Sequence, residues 1–248
     1  MIAAFIILFI YGTLGPIAGI LGIPWTLLTG DITWLYRRAM WIASAGVRAA
    51  GIRIDVTGRE NIPRDQCCIF MSNHVSNLDP PVLLPLIPGR TSILLKRELM
   101  KIPMLGMAMR LGDFVPVDRS HQREKAIESI RTAARVLRSG VHITVFPEGT
   151  RSRDGRLLPF KKGPFFLAQE TGAPIVPISI HGTEGMMRKG SMRVFPGTAH
   201  VVFHPAVDPA KFATREELMA AVRAAIAEGL PEWMRTGPAA QSAGVAAE

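Results

Sequence analysis

Residues 66–81 read QCCIFMSNHVSNLDPP. The first eight, QCCIFMSN, form a short apolar run suited to a central strand that is covered on both faces. Asn73, Ser76 and Asn77 then supply turn chemistry, and Pro80 and Pro81 follow. His74 and Asp79 stand five positions apart in that turn. Residues five apart face away from each other on a helix and on a strand, so the two side chains meet only if the backbone turns between them. If they meet, Asp79 accepts the Nδ1 proton of His74 and fixes its tautomer, leaving Nε2 to take a proton from a hydroxyl. The competing reading makes His74 incidental and Asp79 the N-cap of a helix that begins at Pro80. Pro80 also disfavours the α conformation at Asp79.

Outward from this stretch, strands and helices alternate. IRIDVTG (52–58) alternates apolar and polar residues as a half-buried strand does, and TSILLK (91–96), VHITVF (141–146) and PIVPISI (174–180) are further apolar runs of strand length. RELMKIPMLGMAMRLG (97–112) reads as helical with a proline interruption. Its methionines Met100, Met104, Met107 and Met109 read first as core and second as the lining of an acyl groove. Residues 121–139 carry apolar positions at helical spacing, with Ser120 as N-cap and Gly140 as stop. SMRVF (191–195) and HVVFH (200–204) predict a hairpin around Pro196–Gly197. TREELMAAVRAAIAEG opens with Thr214 and Glu217 at capping-box spacing. This alternation predicts an α/β layered domain around a central, mostly parallel sheet flanked by helices. It would span 51–235, with an apolar helical segment at 1–50 and a disordered tail at 236–248.

Residues 1–30 contain no Asp, Glu, Lys, Arg or His, an apolar run longer than one bilayer crossing needs. Gly12, Gly15, Pro16, Gly19, Gly22 and Pro24 punctuate it and predict a broken or re-entrant helix. Trp34, Tyr36 and Trp41 lie near Arg37, Arg38 and Arg48, which suits a helix at the membrane–water boundary, and if the first segment spans the bilayer the arginines put the following chain on the cytoplasmic side. The formal net charge of +9 attracts anionic headgroups, acidic carrier proteins or nucleic acid. With 7% aromatic residues and no nucleic-acid motif, the lipid reading prevails over the nucleic-acid one. The adjacent Cys67 and Cys68 read as small apolar strand residues.

A second constellation, VFPEGTRS (145–152), delivers a turn from the end of a strand. Gly149 permits close backbone approach, Arg151 offers a planar fork for phosphate, and Glu148 can orient that arginine or accept a substrate hydroxyl. GDFVPVDR (112–119) brings Arg119 to another strand end, and IVPISIHG (175–182) is a buried strand. Lys96, Arg97, Arg119, Arg151, Arg153, Arg156, Lys161 and Lys162 gather around these segments, a cationic mouth suited to a phosphorylated substrate. No Cys–His spacing fits zinc, and there is no G-x-S-x-G nucleophile elbow.

Taken in order, NHVSNLD (73–79), GDFVPVDR (112–119), FPEGTRS (146–152) and IVPISI (175–180) resemble the blocks of the glycerolipid acyltransferases typified by 1-acyl-glycerol-3-phosphate acyltransferase, the family with an H-x4-D motif. The resemblance implies transfer of a fatty acyl group from a thioester of coenzyme A or acyl carrier protein to the free hydroxyl of lysophosphatidic acid, giving phosphatidic acid. It implies His74 as base and Asp79 as its partner. It places Lys96, Arg119 and Arg151 at phosphate-holding positions, and Glu148, Gly149 and Thr150 in the acceptor-binding block. It implies an apolar N-terminal anchor, the cytoplasmic membrane as location, and no cofactor beyond the acyl-CoA or acyl-ACP co-substrate. The rival expectations are a related acyltransferase acting on glycerol-3-phosphate, another lysophospholipid or an aminolipid, a thioesterase, and a non-catalytic lipid-binding module.

Overall fold

The computed structural model describes residues 2–117 and 123–235. Arg119, Ser120 as N-cap and the tail at 236–248 therefore lie outside the described residues. In chain order the elements are α1 (Ile2–Thr29), α2 (Thr33–Ala49), β1 (Ile52–Thr57), β2 (Ile69–Ser72), α3 (Asp79–Leu83), β3 (Thr91–Lys96), α4 (Leu105–Leu111), β4 (Val115–Val117), α5 (Arg123–Arg138), β5 (His142–Val145), α6 (Gly163–Thr171), β6 (Ile175–His181), α7 (Thr183–Met186), β7 (Gly197–Phe203), α8 (Arg215–Glu228) and α9 (Glu232–Arg235).

The strands form one sheet in the order β1-β7-β6-β2-β5-β3-β4. Every adjacent pair is parallel except β6–β7. β2 lies at the centre, between β5 and β6, and explains why its sequence does not alternate. Phe70 packs into the core under α2 and α3, while Ile69 and Met71 pack into the core under α5, α6 and α8. With both faces covered, an apolar residue is favoured at every position. All strands from β2 to β6 run the same way, so the segments after them share one edge of the sheet, where ligands of such folds bind.

The helices expected from periodicity are present. α8 begins with a complete capping box, in which the Thr214 hydroxyl accepts from the Glu217 N–H at 3.2 Å and the Glu217 carboxylate accepts from the Thr214 N–H at 3.2 Å.

Two expectations are corrected. First, α1 is one continuous helix through Pro16 and Pro24. Each proline removes a single donor from a 28-residue ladder. Gly19 and Gly22 act as packing positions instead of breaks, whereas Gly12 and Gly15 face open space. A Cβ on Gly22 would sit 2.8 Å from Leu35 and 2.9 Å from Trp34. One on Gly19 would sit 2.6 Å from Met104, and one on Gly46 would strike the Tyr11 ring. Pairing of Gly22 with Leu35 and of Tyr11 with Gly46 makes α1 and α2 an antiparallel hairpin lying along the domain. Second, residues 191–196 form no strand. The edge of β7 that a hairpin partner needed is taken by β1, and the Phe195 N–H goes to the Met186 carbonyl at 3.0 Å. The methionines after β3 divide, with Met100 in the core and Met109 packed against it. Met100 is buried, Met104 and Met109 are half-buried, and Met107 is exposed.

Candidate active site

β2 ends at Ser72, and the next residue, Asn73, is pinned sideways to β6. Its amide nitrogen donates to the Ile180 carbonyl and its oxygen accepts from the Ile180 N–H, both at 2.8 Å. This fixes where the turn starts. His74 then has both backbone groups held by the segment after β5. Its N–H donates to Glu148 Oε1 at 2.9 Å, and its carbonyl accepts from the Ser152 N–H at 2.8 Å. The imidazole lies flat on the Phe146 ring, with centroids 4.0 Å apart and an interplanar angle of 17°.

The turn from Val75 to Leu78 returns the chain so that Asp79 meets His74. Asp79 Oδ2 lies 2.8 Å from His74 Nδ1 and also accepts from the Val75 and Ser76 N–H groups at 2.8 Å each. Its other oxygen, Oδ1, accepts from the Thr183 hydroxyl at 2.6 Å. Asp79 is wholly buried, whereas the His74 side chain keeps 15% of its surface exposed. Asp79 is the first residue of α3, with Leu78 at the N-cap, so the capping alternative is not what forms. The carboxylate turns back onto the preceding amides. Among the described residues His74 Nε2 has no hydrogen-bond partner. An imidazole whose second nitrogen is free, beside a carboxylate held by several N–H and O–H donors, is chemically able to serve as a general base.

Glu148 sits beneath this pair at 2% exposure. Its two oxygens accept from the backbone N–H groups of His74 and Leu158, so it holds the site from below. Burial pushes its carboxyl up to about 8, against the opposing pull of the two N–H groups. At neutral pH it therefore keeps its proton and places no second negative charge beside Asp79. The sign of the stability effect follows from proton counts. Unfolded, Glu148 ionises near 4.3. Folded, it stays protonated until about 8. Its contribution is thus fully present below the unfolded value and is lost as pH rises toward 8, at up to about 1.4 kcal/mol per pH unit. Subtracting the urea-unfolding profile of Glu148→Gln from that of the wild type should reveal this downward slope. Parallel profiles between pH 5 and 8 would show that Glu148 is ionised throughout.

The next two residues of the segment after β5 face outward. Gly149 has φ of +70°, where a side chain would be strained, and is exposed together with Thr150. Among the described residues the Arg151 guanidinium has no hydrogen-bond or ion-pair partner. Lys96, at the end of β3, lies at the same sheet edge, and among the described residues its ammonium makes one ion pair, an exposed 3.4 Å contact with Glu98. Lys162 is drawn away to Glu216 at 2.7 Å. Sequence reasoning missed the segment after β6, which crosses back over the site. Besides Thr183, the Met187 carbonyl accepts from the Ser76 hydroxyl at 2.8 Å. Lys189 Nζ donates to Thr150 Oγ1 at 3.2 Å and to the Arg151 carbonyl at 2.6 Å. Nothing local marked these residues, because their partners stand 38–111 positions away.

The model of a family described as Acyltransferase matches residues 53–181. The chain is 39% identical over 155 residues to the chloroplastic 1-acyl-sn-glycerol-3-phosphate acyltransferase BAT2 of Brassica napus, a stretch covering 61% of this chain and 44% of that protein. It is 33% identical over 168 residues to a 1-acyl-sn-glycerol-3-phosphate acyltransferase of Borreliella burgdorferi, covering 68% and 67%. The crystal structure of the 1-acyl-sn-glycerophosphate (LPA) acyltransferase PlsC from Thermotoga maritima superimposes with a TM-score of 0.76 at 30% identity, covering 92% of this chain and 93% of that one. The chain spans about half the length of the plant relatives it matches.

Proposed function

The chain belongs to the Acyltransferase family, and from that premise we propose that it moves a fatty acyl group from an acyl thioester to the free hydroxyl of lysophosphatidic acid, giving phosphatidic acid. The observation that carries this reading is the 2.8 Å contact of His74 Nδ1 with a buried Asp79, with Nε2 and the Arg151 guanidinium at the same sheet edge both without a partner among the described residues.

The chemistry asks little more of the protein. A thioester is already activated, so no enzyme nucleophile and no resident cofactor are required. The lipid hydroxyl attacks the thioester carbonyl while Nε2 of His74 takes its proton, and Asp79 steadies the imidazolium that forms. Collapse of the tetrahedral adduct expels the thiolate of coenzyme A or of the carrier protein, and the His74 proton returns to that sulfur. The phosphate of the acceptor is held by Arg151, with Lys96 and Arg119 as further cations and Gly149 and Thr150 lining the approach.

The outer face of α1 supports association with a membrane. Phe5, Phe9, Ile20, Leu21 and Leu28 of α1 are exposed, as are Leu99, Ile102, Leu105 and Met107 on the segment whose Met104 meets Gly19 of α1. Trp34 and Trp41 of α2 are exposed, with the Arg38 guanidinium 5.5 Å above the Trp34 ring. Such aromatic–arginine faces sit at headgroup depth. We place the hairpin at the cytoplasmic membrane with the catalytic domain on the cytosolic side.

An assay crossing acyl-CoA and acyl-ACP with lysophosphatidic acid, glycerol-3-phosphate and other lysophospholipids tests the reaction. Acylation of lysophosphatidic acid above the other acceptors is expected. Hydrolysis without transfer, or lipid binding without either, would overturn the proposal. In the same assay Arg151→Ala should raise the KM for lysophosphatidic acid about tenfold or more, consistent with loss of a charge-assisted contact of about 1.5–3 kcal/mol. An unchanged KM removes Arg151 from the phosphate site.

A further inference from the structure

β6 does more than fill the sheet. Asn73 ties its end to the turn that carries His74, and two residues past Ile180 the chain reverses at Gly182. Gly182 has φ of +92°, and a Cβ there would strike the Thr198 carbonyl oxygen of β7. Only glycine lets the chain pass so close to β7 and turn inward. The residue this turn delivers is Thr183, fully buried, whose hydroxyl donates to Asp79 Oδ1 at 2.6 Å. The family match ends at residue 181 and does not include it.

The two carboxylate oxygens of Asp79 are thus divided. Oδ2 takes His74 Nδ1 and the amides of its own turn, and Oδ1 takes Thr183. The contacts on Oδ2 alone leave rotation about the Cβ–Cγ bond restrained from one side only. A short hydrogen bond on Oδ1, from a side chain rooted in a different strand, closes that freedom. Rotation of the carboxylate would break the line from Oδ2 to Nδ1 and release the imidazole from the orientation in which Nε2 points at the acceptor.

We propose that Thr183 is a positioning residue for acyl transfer, locking the Asp79 carboxylate through Oδ1 so that Oδ2 holds His74 in its reactive orientation. The inference rests on the acyl-transfer reading above. Thr183 lies on the far side of Asp79 from His74 and touches no reacting atom, so its loss acts on turnover and leaves substrate affinity alone. The hydroxyl is the working group and the methyl is not.

The test measures kcat and KM for acyl donor and lysophosphatidic acid in the wild type, Thr183→Val and Thr183→Ser. Thr183→Val keeps the volume and removes the donor. It is expected to lower kcat about 10- to 100-fold with both KM values within about twofold, and Thr183→Ser to restore kcat to within a few-fold of wild type. If the valine variant fails to fold, the serine variant and Thr183→Cys, which supplies only a weak donor, carry the comparison. The order wild type, Ser, Cys in kcat supports the proposal. A folded Thr183→Val with wild-type kcat, or equal losses in Ser and Cys, overturns it. A wild-type protein that transfers no acyl group to any acceptor overturns the acyl-transfer reading itself and the inference with it, an outcome distinct from an active wild type indifferent to position 183.

Discussion

Alanine at position 74 should lower kcat for acyl transfer by about 10²- to 10⁴-fold, the usual worth of a positioned general base. The KM for lysophosphatidic acid should change little, since Arg151 and the loop that bears it are untouched. The melting temperature should also hold. Removing the ring strips one partner from Asp79, but three donors remain on that carboxylate, so no charge is orphaned. The backbone ties from His74 to Glu148 and Ser152 do not involve the side chain and persist. What is lost is the stacking on Phe146 and the proton acceptor. A kinetic collapse without a stability change separates a base from a scaffold residue. Full activity in a folded His74→Ala protein would remove the base from the mechanism.

The parts of this molecule legible in its sequence are those where local chemistry and global position agree. β2, β3, β5 and β6 are apolar runs because both sheet faces are covered, and the cover follows from the alternation of strands with helices. α8 announces itself through Thr214 and Glu217 because a capping box is a local device. His74 and Asp79 could be paired because turn formers separate them, and the turn does bring them together.

The illegible parts depend on partners distant in sequence. Gly19 and Gly22 carry the same letters whether they break a helix or admit Met104 and Leu35, and only the packed hairpin decides. SMRVF has strand composition, yet β1 occupies the edge it needed. Glu148 reads as a substrate contact because glutamate is normally exposed, and its inward turn depends on amides at positions 74 and 158. Thr183 is an ordinary threonine until Asn73 and Gly182 place it on Asp79.

In the proposed mechanism Asp79 serves catalysis and folding together, and Asp79→Ala should show both losses at once. Its carboxylate satisfies the Val75 and Ser76 amides, the Thr183 hydroxyl and the His74 ring, all around a residue with no solvent exposure. Alanine leaves those donors facing a gap. Each buried donor without a partner is worth about 1–3 kcal/mol, and loss of one member of a buried charged cluster runs to about 3–5 kcal/mol. That is a large part of the 5–15 kcal/mol that holds a typical domain together. The urea midpoint should therefore fall far below that of His74→Ala, although the two variants share a similar loss of kcat. Asp79→Asn preserves volume but turns an N–H toward donors, so it should rescue little of either property. Because the proposed mechanism makes the two residues one unit, His74→Ala/Asp79→Ala should be scarcely slower than His74→Ala alone. Losses in kcat that multiply instead would mean that Asp79 reaches the reaction by a route that does not pass through the imidazole.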